Sequence, residues 1–133
     1  MKSINVVAGI FIDKCRVLAA RRAPEKAMAG KWEFVGGKIE DGESPQTALR
    51  REVLEELGVI CDPCYHFSTD ATVVGNLEII LSCWVGELET TAVHSTDHDD
   101  SRWLTKNELW DVDWADADIP AVRRLENSTL LDF

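Results

Sequence analysis

The stretch from Gly37 to Val59, GKIEDGESPQTALRREVLEELGV, constrains the fold more than any other part of the chain. Ser44-Pro45 reads as a helix start, because the serine hydroxyl caps free backbone N–H groups and a proline at the first helical position loses no hydrogen bond. Gly58 supplies the stop. Between them Leu49, Val53 and Leu57 recur at i, i+4 and i+8. That spacing predicts a helix of about thirteen residues whose apolar stripe packs on a sheet. At 100° per residue, Glu52, Glu55 and Glu56 fall within an arc of about 100° and converge on one side. At a separation of about 6 Å and an effective dielectric near 20, each pair repels by about 3 kcal/mol unless a proton or a cation intervenes. Oxygen-only ligands of this kind suit a hard divalent ion, Mg²⁺ or Mn²⁺, rather than zinc.

Two further elements frame these carboxylates. Val35 to Glu43 contains three glycines in a polar context and reads as a turn-rich loop. Within it Gly36-Gly37 lets the backbone approach a ligand as a side chain would not. Glu43 and Arg51 complete the frame, since an arginine beside several carboxylates holds and orients them by bidentate hydrogen bonds.

Elsewhere the chain alternates strand and helix signals. Ile4 to Ile12 and Arg16 to Arg21 read as two strands joined by a tight turn at Asp13-Lys14. Residues 23 to 31 read as a loop, and Trp32 to Phe34 as a short strand. Tyr65 to Val74 and Leu77 to Val85 flank Gly75-Asn76, a two-residue hairpin signal, and the second run is apolar enough to be central. Thr105 and Glu108 form a capping-box pattern for a short helix, and a last helix runs from about Asp118 to Asn127. The expected architecture is one α/β (α+β) domain over residues 1–133, a mixed β-sheet sandwiched between helices.

A formal net charge of −10 argues against a surface built for polymeric nucleic acid, which needs clustered lysine and arginine. A small anionic substrate remains compatible, provided a cation offsets the acidic site locally. The N-terminal MKSINVVAGIFI reads as a buried strand rather than a leader, and no apolar run reaches the 18 or so residues of a membrane span. The expectation is a cytoplasmic protein with no membrane partner. The four cysteines read as reduced thiols. Cys61 and Cys64 form a C-x-x-C pair without a second half, and read as semi-buried packing residues.

Position by position, Gly37 to Val59 resembles the Nudix box: Gly, five residues, Glu, seven residues, then Arg-Glu-aliphatic-x-Glu-Glu-x-Gly-aliphatic. Gly9-Ile10, Arg21-Arg22 and GKWEFVGG at 30 to 37 extend the resemblance to the MutT-like branch, with Val35 where a proline is usual. The resemblance implies the Nudix fold and hydrolysis of a (deoxy)nucleoside triphosphate to the monophosphate and pyrophosphate. It places a metal, Mg²⁺ or Mn²⁺, on the Gly37 carbonyl, Glu52, Glu55 and Glu56, with Glu52, Glu55, Glu43 and Arg51 as the catalytic group. Relatives often carry a glutamate just before the tryptophan matching Trp103, where this chain has Arg102. The general base is therefore either Glu52 or one of Asp97, Asp99 and Asp100, whose alternative is a solvated acidic loop.

Substrate contacts are implied at Arg22, Phe34, Gly36, Gly37 and Asp118. Each of three has a plainer alternative: Phe34 as core, Arg22 as a surface charge, Asp118 as the N-cap of the last helix. The tract ADIPAVRRL resembles that of CTP pyrophosphohydrolases, so CTP, dCTP and modified or oxidised nucleotides such as 8-oxo-dGTP lead as small-molecule partners. ADP-ribose or a dinucleotide is the second substrate class, and a nucleotide sensor without turnover is the rival of another kind. The chain is expected as a monomer or homodimer.

Overall fold

The computed structural model describes residues 1–95 and 97–132. Strand β1 (Lys2–Asp13) returns as β2 (Arg16–Arg22), followed by β3 (Trp32–Glu33), β4 (Gly36–Lys38) and helix α1 (Pro45–Leu57). Strands β5 (Cys61–Val74), β6 (Leu77–Leu88) and β7 (His98–Leu104) come next, and after two short 3₁₀ turns, Lys106–Asp111 and Asp116–Asp118, the chain ends in α2 (Ile119–Glu126). The first hairpin turns at Lys14-Cys15, one residue later than the sequence suggested, and both residues take the positive φ that a two-residue hairpin needs. The Gly75-Asn76 hairpin and the helix limits at Ser44 and Gly58 stand where expected.

The sheet runs β3-β2-β1-β6-β5, with β4 added on β1 and β7 on β2. Strands β1 and β6 are parallel and the other strand pairs antiparallel, so the sheet is mixed. Two expected loops prove to be partly strand. Gly36–Lys38 pairs with Val6–Ala8, and the acidic run at 98–100 opens β7, paired with Arg21 and Arg22. In both cases backbone pairing supplied by a distant strand overrides a local composition that lacks strand character.

Side chains alternate between two apolar layers, as the period of a strand requires. From β1 and β2, Val7, Phe11, Leu18 and Ala20 face α1, where Leu49, Val53 and Leu57 are buried. Ala8, Ile10, Val17 and Ala19 face the other way, against Leu109, Val122 and Leu125 of the C-terminal elements. The stripe read from the sequence is therefore what fixes α1, and its carboxylates, to one face of the sheet. At the helix start the Ser44 hydroxyl accepts the Thr47 N–H at 3.1 Å. Among the described residues no helix is long and apolar enough to cross a membrane.

Leu49 is fully buried beneath α1. Leu49→Ala should cost about 2–5 kcal/mol through lost transfer energy and a residual cavity, read as a lower urea midpoint with an unchanged slope.

Candidate functional site

One guanidinium organises the glutamates. Arg51 Nε and Nη2 donate to the two oxygens of Glu43, each at 2.9 Å, a bidentate pair. Nη1 donates to Glu52 Oε1 at 2.9 Å and to Glu55 Oε2 at 3.4 Å, and Nη2 also reaches the Lys38 carbonyl at 3.0 Å. Arg51 thus ties the loop after β4 to the face of α1. Its contact, helped by the Glu40 N–H, holds the Glu43 carboxyl down at about 2. Glu43 consequently stays ionised at any pH where the protein works.

Glycine is required twice beside this clamp. A Cβ at Gly36 would strike the Val7 carbonyl and Ala8 Cα, the price of pairing β4 so closely on β1. A Cβ at Gly37 would strike the Glu52 carboxylate itself. Glu52 is therefore held between the Arg51 guanidinium on one side and bare backbone on the other.

Glu56 completes the group in a different manner. It is 8% exposed, and its Oε2 is buried with no hydrogen-bond partner among the described residues. Burial first, and then the negative charges of Glu52, Glu33 and Asp97, push its carboxyl up to about 9. Glu52 acts on Glu56 and shares Arg51 with Glu55, but the convergence of all three expected from their spacing is not formed: Glu55 is exposed and turned to Arg51, while Glu56 is buried. Among the described residues no three His, Cys, Asp or Glu side chains close into a ready cage. An orphaned buried oxygen, acceptor-only neighbours and a glycine cradle nonetheless fit a hard divalent cation, with Glu52, Glu55, Glu56 and the Gly37 carbonyl as the available ligands.

Gly36 and Gly37 also line a cavity of about 440 Å³, a size usual for small-ligand sites. Its polar lining includes Arg22, Glu33, Lys38 and Asp118, and its aliphatic lining Ile4, Val74, Leu77 and Ile79. Asp118 arrives there because segment 113–115 pairs alongside Trp32, through Trp32 N–H to Asp113 O at 2.9 Å and Ala115 N–H to Trp32 O at 2.8 Å. It stands at the N-cap position of α2, yet its side chain makes no cap. Its Oδ2 accepts the Phe34 N–H at 3.0 Å instead, because cavity burial brings that donor within reach and turns the carboxylate away from the helix end. Burial outweighs that bond, with the Glu33 charge adding to it, and raises the Asp118 carboxyl to about 8.

Phe34 lines the cavity but is 2% exposed, its ring 4.7 Å from that of Trp114 at a 41° tilt. It serves as packed wall and core at once. Arg22 is not a free surface charge: Nε donates to the Ala27 carbonyl at 2.6 Å and Nη1 to Glu33 Oε2 at 3.1 Å.

Of the acidic residues before Trp103, Asp97 alone acts on Glu56, and it pairs with Lys26 at 3.2 Å. Asp99 is committed to Arg21 at 2.7 Å and Asp100 caps the Ser101 N–H, while Arg102 lies over the Trp32 ring. The sequence reading passed over Glu33 and His98, which bond to each other at 2.8 Å. Glu33 sat in plain view between Trp32 and Phe34, where a charge flanked by buried aromatics is a usable signal; His98 was hidden inside a run that reads as solvated acid. Cys64 is exposed and Cys61 buried, each without a disulfide.

The sequence model described as NUDIX domain matches residues 2–125. The chain is similar to the CTP pyrophosphohydrolase of Escherichia coli (strain K12), 36% identical over 121 residues, covering 90% of this chain and 89% of that protein. It is 29% identical over 127 residues to the 8-oxo-dGTP diphosphatase of the same strain, covering 95% and 98%. Among solved structures, that of the E. coli ORF135 protein superposes with a TM-score of 0.81 at 32% identity, over 96% of this chain and 91% of the other.

Asp118 gives the site a pH signature. A carboxyl raised from 3.8 to about 8 by folding stabilises the native state fully below pH 4, and loses that contribution as pH rises toward 8. The stability of the protein relative to Asp118→Asn should fall over that window in urea titrations; a flat difference from pH 5 to 8 would mean the buried carboxyl is not held neutral.

Proposed function

Because the chain belongs to the NUDIX family, as a hydrolase of the MutT type, we propose that it converts a (deoxy)nucleoside triphosphate to the monophosphate and pyrophosphate. CTP, dCTP and modified or oxidised nucleotides such as 8-oxo-dGTP are the leading substrates, and Mg²⁺, with Mn²⁺ as the alternative, is the cofactor. Members of the family generally use divalent metals. One observation carries the reading: Gly37 touches the Glu52 carboxylate and also lines the cavity, so the carboxylate clamp and the ligand space share a wall.

The roles follow from what each side chain touches. Glu52, Glu55, Glu56 and the Gly37 carbonyl would hold the cation, which when bound would supply charge neutralisation at the phosphate oxygens and an activated water. Arg51 and Glu43 keep Glu52 and Glu55 in place. Water adds to the α- or β-phosphorus, the P–O bond bridging the two breaks, the monophosphate and pyrophosphate separate, and the proton of the water passes to a carboxylate. Glu52 and Asp97 are the two candidates for that proton, since Asp97, although paired with Lys26, is the loop carboxylate whose charge reaches Glu56. Arg22 faces the polyphosphate. Gly36 and Gly37 keep the cavity wall free of side chains, Phe34 bounds the base, and Asp118, neutral below about pH 8, donates its O–H to an acceptor on the base edge.

A panel of canonical and modified nucleoside triphosphates, scored by kcat/KM for pyrophosphate release with Mg²⁺, tests the proposal. Turnover of at least one member, lost with a chelator, is the expected outcome; binding without turnover across the panel would make the protein a nucleotide sensor. Glu55→Gln and Glu56→Gln should each lower kcat by at least about a hundredfold. Wild-type turnover in either would remove that residue from the metal site.

A further inference from the structure

His98 is tied at both ring nitrogens. Its side chain is 1% exposed, with Nε2 2.8 Å from Glu33 Oε2 and Nδ1 2.6 Å from Ser95 Oγ. An ionised Glu33 only accepts, so Nε2 carries the proton that joins them. The same Glu33 oxygen accepts Arg22 Nη1, and Arg22 Nε is pinned on the Ala27 carbonyl. On the other side, Ser95 Oγ accepts the Asp97 N–H at 3.2 Å. A continuous polar chain therefore runs from the Asp97 turn through His98 and Glu33 to Arg22.

The backbone is shaped to make this chain. The β2–β7 register shifts between Arg21 and Arg22, so that Arg21 pairs with Asp100 and Arg22 with His98. Such bulges re-aim side chains beside functional sites. Glu33 and Arg22 both line the cavity, whereas His98 does not. A carboxylate in the wall of a space that takes a polyanion is unfavourable unless its charge is held back. Of the two groups that hold Glu33, Arg22 is the one a phosphate would compete for. His98 is the one that stays.

We infer that His98 is a positioning residue for substrate: its Nε2–H anchors Glu33, and the anchored carboxylate aims the Arg22 guanidinium at the polyphosphate. The inference rests on the proposed nucleotide hydrolysis and assigns a function to a side chain outside the clamp. A histidine serving packing alone would act on stability and leave Arg22 untouched.

A double-mutant cycle on the best substrate of the panel separates the two. His98→Ala should raise KM about tenfold with kcat within about twofold, and should change KM by less than about twofold when Arg22 is already alanine. His98→Gln, whose amide can still donate to Glu33, should recover most of the loss and guards against a folding defect. Equal costs in the presence and absence of Arg22, or unchanged KM in His98→Ala, would overturn the inference. Exchange of the Arg22 Nε–H by NMR gives a readout independent of turnover: it should quicken about tenfold in His98→Ala and return in His98→Gln. If the wild type turns over no nucleotide, the functional proposal fails and this exchange measurement still decides the role of His98; unchanged exchange rejects it.

Discussion

The bidentate pair between Arg51 and Glu43 is the contact on which the rest of the site depends. One guanidinium addresses Glu43, Glu52, Glu55 and the Lys38 carbonyl, so it joins the end of β4 to α1. That junction presses Gly37 against Glu52, and the same tie supports the short pairing of β4 on β1. Without Arg51 the loop would carry Glu43 opposite Glu52 with nothing between them, and like charges in a partly buried setting drive such segments apart. The clamp thus converts a repulsive cluster into a defined surface, and among the described residues Glu56 is left as the carboxyl whose buried oxygen finds no protein partner.

A chain with a net charge of −10 that handles polyanions must confine its positive charge to chosen points. Arg22 and Arg51 are those points, and neither is bare. Arg51 is fully engaged by carboxylates, which leaves it a structural cation. Arg22 is half-compensated, with Glu33 on one nitrogen and a carbonyl on another. The two arginines thus differ in saturation, and Arg22 is the one that also lines the cavity.

What the sequence made legible was local. Ser44, Pro45, Gly58 and the stripe at Leu49, Val53 and Leu57 define α1 within fifteen residues, and the Arg51–Glu43 contact spans only eight positions. The missed features all depend on distant partners. Gly36–Lys38 has neither apolar alternation nor branched residues, and becomes a strand only because Val6–Ala8 offers its edge. The acidic run at 98–100 is strand because β2 pairs with it. For Asp118 the sequence left a helix cap as the alternative to substrate contact, and the Phe34 N–H, 84 positions away, takes its oxygen instead of the helix end. For Phe34 the sequence left substrate contact and core both open, and its ring is packed on Trp114 in the cavity wall.

The parallel pairing of β1 with β6 joins Lys2–Phe11 to Leu77–Gly86, contacts some 75 positions apart in the chain. Contacts of such high contact order form late, because the intervening loop must be closed before they return any energy. The Arg51 contacts lie wholly within residues 38–55, whereas the cavity lining brings Ile4 together with Leu77 and Ile79. The Arg51 contacts are therefore local in the chain, whereas the cavity is closed by residues some 75 positions apart. A substitution that loosens the β1–β6 pairing would thus reach the cavity lining without touching the Arg51 contacts directly.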